Sequence, residues 1–385
     1  MSTRPEVIIV TLLSQTTGTG VEVHCNQITE AAVKQGYNIH SVNPYIAPFI
    51  RRKISRAFIR LARFLGDEYA DLVWRWSAYY LLKISIRKLL KEKSGNVVFY
   101  AQDPLSAKAA IDSRKSEKQY VSIVVHFNNS EAQEYIDKGI TNKDSMLYRD
   151  LVKTEAYSFP RVDKIIYVSE YMKKIVEGRF PLLADKGNCI VIPNFVKDLS
   201  KITGSDEIKA DLINIGTLEH RKNQEFLLDV LHACNKKGRF YTLSIIGDGP
   251  DMGRLVKKSV ERGLGGQVSF YGYMKDAVVH IKKHRIYVHA SRMESFGITL
   301  IEAYSAGCPV LAAPVGGIPE IVDHGVDGFL WDLNDVELSS NLLIKTMSDE
   351  GLLSEMSKAA KVKFVNKFSD ERLSEVWLKE LTYAS

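Results

Sequence analysis

Residues 286–310 read IYVHASRMESFGITLIEAYSAGCPV and predict a strand, a tight turn, a helix and a second strand. The apolar run IYVHA is typical of a parallel strand that is covered on both faces. Gly297 lets the turn approach an anion closely, and the free N–H groups that start the following helix can bind a diphosphate. Glu294 before the helix and Glu302 within it can each accept hydrogen bonds from pairs of sugar or ribose hydroxyls.

Short apolar runs of the same kind recur on both sides of this stretch, with amphipathic helical segments between them. This alternation predicts an α/β protein built from two successive series of β–α units. The polar segment 196–210 after Pro193 is the predicted linker, and the capped, amphipathic segment 369–381 predicts a closing helix. The predicted strands are VIIVTLL (7–13), VVFYA (97–101), SIVV (122–125), KIIYV (164–168), CIVI (189–192), LINIG (212–216), TLSIIG (242–247), QVSFYG (267–272), IYVHA (286–290) and VLAA (310–313).

Composition is that of a globular protein of about two domains, since 45% of the 385 residues are hydrophobic and 25% are charged. The four cysteines show no Cys-x-x-Cys pair, which favours free thiols in a reducing compartment such as the cytosol. The start of the chain lacks the pattern of a signal peptide, and no run of about 18 uncharged apolar residues predicts a membrane span.

The net charge of +6 is concentrated locally, because residues 51–93 contain twelve basic and four acidic side chains. At helical spacing, apolar and basic side chains in this segment fall on different faces, and aromatic residues follow. Such a segment favours either contact with an anionic membrane surface or a solvated helix packed on its domain. The apolar face contains Ile54, Phe58, Leu61 and Leu65, and the basic face contains Lys53, Arg56, Arg60 and Arg63.

Neither glycine cluster fits a known nucleotide motif. Gly18 and Gly20 are followed by Val23 where the dinucleotide fingerprint has a third glycine, and Gly247 and Gly249 are likewise followed by Met252. The sequence Gly-x4-Gly-Lys-Ser/Thr is absent as well. These observations argue against nicotinamide or flavin enzymes and against P-loop NTPases.

Glu294 and Glu302 form a Glu-x7-Glu pair, with GTLEHRK (216–222) upstream and PVGGIPE (314–320) downstream. This arrangement resembles the fourth family of retaining GT-B glycosyltransferases. The resemblance is specific from Gly216 to Trp331 and looser in the N-terminal half. Further matching segments are IGDGP (246–250), VSFYGYM (268–274), HGVDGFLW (324–331), TTGTGVEVH (16–24), VHFNN (125–129), YVSEYM (167–172) and IPNF (192–195).

The resemblance implies a GT-B fold, in which two Rossmann-like β/α/β domains face a central cleft. Residues 1–195 would form the N-terminal, acceptor-side domain, and the C-terminal helix 369–385 would pack back on it. Residues 196–368 would form the C-terminal domain that binds a nucleotide sugar.

The resemblance also assigns catalytic roles to matching residues. Glu294 corresponds to the residue that binds donor-sugar hydroxyls, and Lys222 to the lysine that binds the diphosphate. The family commonly has an arginine where this chain has Thr217, so Arg221 is the alternative source of a guanidinium. His126 resembles a histidine at a strand end near the donor sugar.

The remaining implied positions bind the donor. Glu302 corresponds to the residue that binds the ribose, Tyr273 and Met274 to those that contact the nucleobase, and Gly18 and Gly20 to the loop that touches the phosphates. The complete donor-binding set is Gly18, Gly20, Gly216, Thr217, Tyr273, Met274, Phe296, Gly297, Ile298, Thr299, Leu300 and Glu302.

The function that the resemblance implies is transfer, with retention, of a hexosyl or N-acetylhexosaminyl unit from a UDP- or GDP-linked donor. The acceptor would be a glycan or a lipid-linked molecule in bacterial surface polysaccharide or lipopolysaccharide synthesis, at the inner face of the membrane or in the cytoplasm. No Asp-x-Asp motif marks a metal site, so neither a metal nor a cofactor is expected. Two alternatives stay open: a sugar-nucleotide epimerase of similar shape, and a non-catalytic basic module suggested by residues 51–93, although no nucleic-acid reading motif is present.

Overall fold

A computed structural model of the chain describes residues 4–14, 20–91, 95–127, 129–201 and 210–382. The chain divides into two compact units, Met1–Pro193 with Ser374–Ser385, and Asn194–Leu373. Each unit contains a six-stranded sheet with helices between its strands, which confirms the prediction of two Rossmann-like α/β domains.

The first unit contains a parallel sheet with the strand order β2-β1-β3-β4-β5-β6. Its strands are β1 (Glu6–Val10), β2 (Ile39–Val42), β3 (Val97–Ala101), β4 (Gln119–Val125), β5 (Lys164–Tyr167) and β6 (Cys189–Val191). Its helices are α1 (Gly20–Lys34), α2 (Phe49–Arg63), α3 (Asp67–Lys91), α4 (Pro104–Ile111), α5 (Glu131–Asp137), α6 (Met146–Ser158) and α7 (Glu170–Arg179).

The second unit contains another parallel sheet, with the order β12-β11-β10-β7-β8-β9. Its strands are β7 (Ala210–Ile215), β8 (Leu243–Ile246), β9 (Val268–Phe270), β10 (His284–His289), β11 (Val310–Ala312) and β12 (Gly328–Leu330). The helices in this part of the chain are α8 (Gln224–Lys236), α9 (Met252–Glu261), α10 (Ile298–Ser305), α11 (Ile318–Ile321), α12 (Val336–Ser348), α13 (Glu350–Lys363) and α14 (Asp370–Thr382).

The strand order of the second sheet determines where a ligand can bind. Counted within the unit, the order is 6-5-4-1-2-3, which is the order of dinucleotide-binding folds. The direction of chain progression reverses between β7 and β10, which pair in parallel. The loops that follow these two strands therefore leave the sheet in opposite directions and open a crevice at its carboxyl edge.

All ten predicted strands are present, and the described part of the chain contains two further strands that the sequence did not predict. Both missed strands lie at sheet edges: β2 is IHSV, with only Val42 buried, and β12 is the tripeptide GFL. A strand at the edge of a sheet has less contact with the core than a central one. The long apolar runs that predict covered central strands are therefore absent from these two.

The C-terminal helix belongs to both units, since the border between them falls after Leu373. In the first unit, Trp377 of α14 is fully buried, and its indole N–H donates to the carbonyl of Pro193 at 2.8 Å. The Trp377 ring lies 4.8 Å from the ring of His24, and Lys164 forms an ion pair with Glu380 at 3.0 Å. The last turns of the chain thus complete the core of the first unit.

Of the predicted linker, residues 196–201 belong to the second unit. Val196 forms a β-bridge with Ser369, and the ammonium of Lys361 is bonded to the carboxylate of Asp198. Residues 202–209 lie outside the described part of the chain.

The basic segment 51–93 forms most of α2 and α3, which pack against each other. One of its cations is structural: Arg75 is fully buried and forms ion pairs with Glu131 at 2.6 Å and Asp150 at 3.0 Å. Among helices of the described residues, none combines the length and apolar character that crossing a bilayer requires.

Candidate functional site

The candidate site lies at the carboxyl edge of the second sheet, where its topology reverses. One loop, residues 216–222, follows β7, and the other, residues 290–297, follows β10. The backbone N–H of Arg292 donates to the carbonyl of Arg221 at 2.8 Å, so the two loops lie side by side. Motifs that are about 70 residues apart in sequence are therefore brought together by the pairing of their strands.

Lys222 and Glu294 form an ion pair across the two loops. The Nζ of Lys222 lies 2.6 Å from Oε2 of Glu294, and the side chains are 20% and 13% exposed. Burial raises the pKa of the Glu294 carboxyl, but the charge of Lys222 and the proximity of His289 outweigh this effect and lower the pKa below its usual value. The carboxylate is thus ionised and accepts hydrogen bonds, while one N–H of Lys222 is used and two remain for a ligand.

His289, the last residue of β10, is part of this cluster, although the sequence did not predict it as a site residue. Its Nε2 lies 3.1 Å from the hydroxyl of Ser291 and 3.6 Å from Oε2 of Glu294. Burial lowers the pKa of His289, which favours the neutral imidazole. Its Nδ1 is buried and has no hydrogen-bond partner among the described residues. The sequence feature that could have identified His289 is its position at the end of a strand that leads into the site.

Helix α10 begins beside Glu294. Its N-cap is Gly297, with φ +107°, and no side chain caps the helix. The N–H of Leu300 donates to the carbonyl of Gly297 at 3.0 Å, which leaves the amides of Ile298 and Thr299 in the first turn for an acceptor outside the helix. The Glu294 Cγ lies 3.8 Å from where a Cβ on Gly297 would stand. Of the predicted residues here, Phe296 packs its ring against Phe368, so that only its backbone is available to a ligand, and the side chain of Thr299 lies near the phenol of Tyr287.

Glu302 lies one turn further along α10 and is only 7% exposed. No side-chain hydrogen bond or ion pair joins its carboxyl to another described residue. Burial raises its pKa to about 8. A buried carboxyl without a partner is costly, and such groups concentrate at functional sites.

The alternative guanidinium donor, Arg221, is already engaged. Its Nη2 and Nε donate to Oε1 of Glu219 at 2.7 and 3.1 Å, and its Nη1 donates to the carbonyl of Met293 at 3.4 Å. Thr217 is exposed, and its carbonyl accepts a hydrogen bond from the side chain of Gln224 at 3.0 Å. Arg221 thus joins the two loops, and its charge is partly balanced by Glu219.

The glycines of the motifs have a structural role in this unit. A Cβ on Gly247 would lie 1.9 Å from the carbonyl oxygen of Gly216, and one on Gly249 would lie 2.3 Å from that of Leu218. Leu218 also donates its N–H to the carbonyl of Asp248 at 3.0 Å. IGDGP therefore holds the lysine-bearing loop by close backbone contact.

Gly316 holds the backbone of Glu294 by close contact in the same way. Its φ is +57°, and a Cβ there would lie 1.7 Å from the carbonyl oxygen of Glu294, which also accepts a hydrogen bond from the N–H of Gly317 at 3.1 Å. The motif PVGGIPE thus positions the backbone of Glu294. This contact gives the two glycines a role that the sequence did not reveal.

Replacing Gly316 with alanine is expected to destabilise the protein by about 2 kcal/mol, because the new Cβ overlaps a backbone carbonyl in a left-handed conformation. Chemical denaturation measures the loss. The matched control is Gly325→Ala, where φ is +83° but the nearest atom is an aromatic carbon at 3.9 Å. Equal losses for the two variants would contradict the proposed contact with Glu294.

The predicted base-contacting residues follow β9. Tyr273 is 68% exposed, and Met274 is partly buried. Gly272 accepts a hydrogen bond from the N–H of Gly247 at 2.9 Å, which places this loop beside the one that follows β8.

Two described residues of the predicted site belong to the first unit. His126 follows β4, and its Nε2 lies 3.1 Å from Oε1 of Gln102. Burial, together with His24 at a ring distance of 4.8 Å, lowers the pKa of His126 well below its usual value. Gly20 is the first residue of α1, whereas Gly18 lies outside the described residues.

The described residues contain no cluster of three or more His, Cys, Asp or Glu side chains placed to hold a metal ion.

Curated bacterial proteins show sequence similarity to this chain. N-acetyl-alpha-D-glucosaminyl L-malate synthase of Bacillus anthracis is 28% identical over 131 residues, which are 34% of this chain and 34% of that protein. Poly(ribitol-phosphate) alpha-N-acetylglucosaminyltransferase of Staphylococcus aureus is 22% identical over 299 residues, or 76% of this chain and 56% of that protein. The matches thus span about a third to just over half of these relatives.

Among solved structures, HepE of Anabaena in complex with UDP and glucose is similar in fold. It has a TM-score of 0.71 and 17% identity, and the match covers 99% of this chain and all of that one.

Two family models match consecutive parts of the chain. The model described as Glycosyltransferase Family 4 matches residues 18–198, and the model described as Glycosyl transferases group 1 matches residues 196–363. Together they span both Rossmann-like units and contain every residue of the predicted site. The chain therefore belongs to the group 1 glycosyltransferases of the GT-B fold.

Proposed function

We propose that this protein is a retaining glycosyltransferase that moves a hexosyl or N-acetylhexosaminyl unit from a UDP- or GDP-linked sugar to a glycan or lipid-linked acceptor. The observation that supports this most is the ion pair of Lys222 and Glu294 beside the uncapped start of α10. A cation and free amides suit a diphosphate, and a carboxylate next to them suits sugar hydroxyls.

The leaving nucleoside diphosphate is the group that this site would stabilise. Negative charge grows on the phosphate oxygen as the glycosidic bond breaks, and a fixed ammonium with a helix N-terminus stabilises that charge without rearrangement. Lys222 retains two N–H donors for the phosphate while Glu294 accepts the third. We assign leaving-group stabilisation to Lys222 and binding of the donor-sugar hydroxyls to Glu294.

Glu302 and the loop after β9 would bind the nucleoside. The carboxylate of Glu302 has no partner among the described residues and can accept both hydroxyls of a ribose. The exposed ring of Tyr273 can stack on a nucleobase.

Neutral His126, in the first unit, can hydrogen-bond a sugar hydroxyl without adding charge.

Retention would follow from attack on the face that the leaving group departs. The acceptor hydroxyl oxygen bonds to the anomeric carbon, the bond from that carbon to the diphosphate oxygen breaks, and the hydroxyl proton passes to the departing phosphate. No protein side chain is then required as a strong base or nucleophile. Because Lys222 and α10 supply the positive charge, we propose that no divalent metal takes part.

The relatives favour a bacterial surface polymer as the setting. One is named for the transfer of N-acetylglucosamine to poly(ribitol-phosphate), and another, from Rhizobium meliloti, for lipopolysaccharide core biosynthesis. HepE was solved with UDP and glucose. UDP-linked glucose or N-acetylglucosamine is therefore the first donor to test.

The test is a thermal-shift panel of nucleotide sugars followed by product analysis. A true donor at 100 times its Kd is expected to stabilise the protein by about 2.7 kcal/mol. With acceptor glycans, NMR of the product should show the anomeric configuration of the donor, and EDTA should leave the rate unchanged. Loss of activity in EDTA would contradict the metal-free mechanism, and consumption of the donor without an acceptor would instead indicate an epimerase or a hydrolase.

A further inference from the structure

Helix α2 presents an unusual surface on the first unit. Residues 50, 54, 58, 61 and 65 recur at intervals of three or four, so they share one side of the helix and its C-terminal turn. All five are apolar and between 53% and 73% exposed, and Phe64 beside them is 88% exposed. The exposed apolar side chains, which we call the α2 apolar face, are Ile50, Ile54, Phe58, Leu61, Phe64 and Leu65.

A second side of α2 is basic. Arg51, Arg52, Lys53, Arg56, Arg60 and Arg63 are all the charged residues of the helix, and the sequence contains no acidic residue between Glu30 and Asp67. Of the ion pairs among described residues, one involves this helix, an exposed pair of Arg63 and Asp67 at 3.5 Å. The positive charge of α2 is therefore largely unneutralised by the protein.

The remaining side attaches α2 to the domain. Ala62 is buried, Ser55 and Ile59 are half-buried, and the helix packs against α3. The helix is thus held on the domain by its small and inner residues, while its large apolar side chains point away from the core. A solvated surface helix would have polar residues at those positions.

We propose that α2 docks on an anionic lipid surface, with its apolar face in the interface and its arginines and Lys53 at the phosphate headgroups. Apolar and basic sides on one helix are the combination that binds such a surface. The proposal stands independently of the glycosyl transfer proposed above.

The positive charge of α2 favours a lipid surface over a second copy of this chain as the partner of the α2 apolar face. A two-fold contact through the apolar face would bring two sets of six cations together with no acidic residue of α2 to balance them, which opposes dimer formation. A surface of acidic phospholipids offers the opposite charge at high density.

Vesicle flotation tests the proposal with two kinds of vesicle, phosphatidylcholine alone and phosphatidylcholine with about 30 mol% phosphatidylglycerol. The protein is expected to float with the anionic vesicles and to be released by high salt, since exposed charges are screened. Arg56→Gln with Arg60→Gln should lower partitioning into the anionic vesicles by roughly 30-fold, because each cation near the surface strengthens binding by about fivefold.

Phe58→Ser with Leu61→Ser should also lower binding to the anionic vesicles. Because both side chains are exposed, the variant should keep the wild-type Tm. The matched control is Phe240→Ser with Val260→Ser, which removes two apolar side chains of 69% and 67% exposure from the second unit and should float as the wild type does. Equal flotation with neutral and anionic vesicles, or equal losses in test and control variants, would overturn the proposal. A wild-type dimer in sedimentation that Phe58→Ser with Leu61→Ser dissociates would assign the face to a second copy instead.

Discussion

Alanine in place of Lys222 is expected to lower kcat by roughly 10²- to 10³-fold, the effect of removing a preorganised group that stabilises developing charge. The neighbouring cation cannot take over easily, because the guanidinium of Arg221 is held by Glu219 and by the carbonyl of Met293. Uncapped amides at the start of α10 would remain and would account for the residual rate. Single-turnover kinetics with saturating donor measures the chemical step directly.

A control must separate this effect from the loss of an ion pair. Lys258 in α9 is 17% exposed, against 20% for Lys222, and forms an ion pair with Asp229 at 3.1 Å in the same unit. Lys258→Ala should therefore perturb stability in a comparable way and leave kcat within about twofold of the wild type. A similar loss of kcat in both variants would mean that Lys222 acts only through folding.

The ion pair itself supplies a second control. Without Lys222, the carboxylate of Glu294 loses its main counter-charge while it stays largely buried. The double variant Lys222→Met with Glu294→Gln removes both charges, so it should regain stability relative to Lys222→Ala. Its activity should not recover, because the leaving group still lacks its cation. Recovery of turnover in the double variant would show that the stranded carboxylate, not the missing ammonium, caused the defect.

The sequence predicted the elements of the fold well wherever the chain is buried on both sides. Strands such as β3 and β10 are buried along nearly their whole length, and their β-branched and aromatic residues are typical of covered strands. β2 and β12 at the sheet edges have no such pattern. Their existence depends on pairing with β1 and β11, which local sequence does not encode.

Part of the site could also be predicted from local sequence patterns. Strand ends and helix starts can be located in a sequence, which brings Lys222 and Glu294 to one sheet edge. The pairing of Arg221 with Glu219 and the contact of Gly316 with Glu294 depend on exact loop paths. His289 was overlooked because a histidine within an apolar strand has the pattern of a core residue, and only the turn after it brings Glu294 back within 3.6 Å.

Glutamine in place of Glu302 is expected to stabilise the ligand-free protein and weaken donor binding at the same time. Burial raises the pKa of Glu302 to about 8, so between its ordinary pKa of 4.5 and about 8 the folded state holds a proton that the unfolded state has released. Glu302 therefore contributes a fall in the free energy of unfolding as pH rises through this range, by up to about 1.4 kcal/mol per pH unit. Glutamine has nearly the same shape and no charge, so this contribution to the pH dependence disappears.

The stability of Glu302→Gln should equal that of the wild type near pH 4.5 and exceed it increasingly up to about pH 8. Urea denaturation at a series of pH values measures the difference. Glu355→Gln, which changes an exposed carboxyl on α13, is the control and should follow the wild type at every pH. Parallel curves for Glu302→Gln and the wild type would contradict a buried carboxyl with a raised pKa.

Donor binding should change in the opposite direction. An ionised carboxylate accepts both ribose hydroxyls, whereas glutamine offers one oxygen and turns an N–H toward the other hydroxyl, which costs about 3 kcal/mol or roughly 100-fold in Kd. Wild-type affinity for UDP should rise with pH toward 8, since the ligand requires the ionised form. Calorimetry with UDP and 2′-deoxy-UDP tests the contact itself: the wild type should discriminate between them, and Glu302→Gln should largely lose that discrimination. If the variant is more stable at pH 8 but binds both ligands as the wild type does, Glu302 is a buried acid without a role in recognising the ribose.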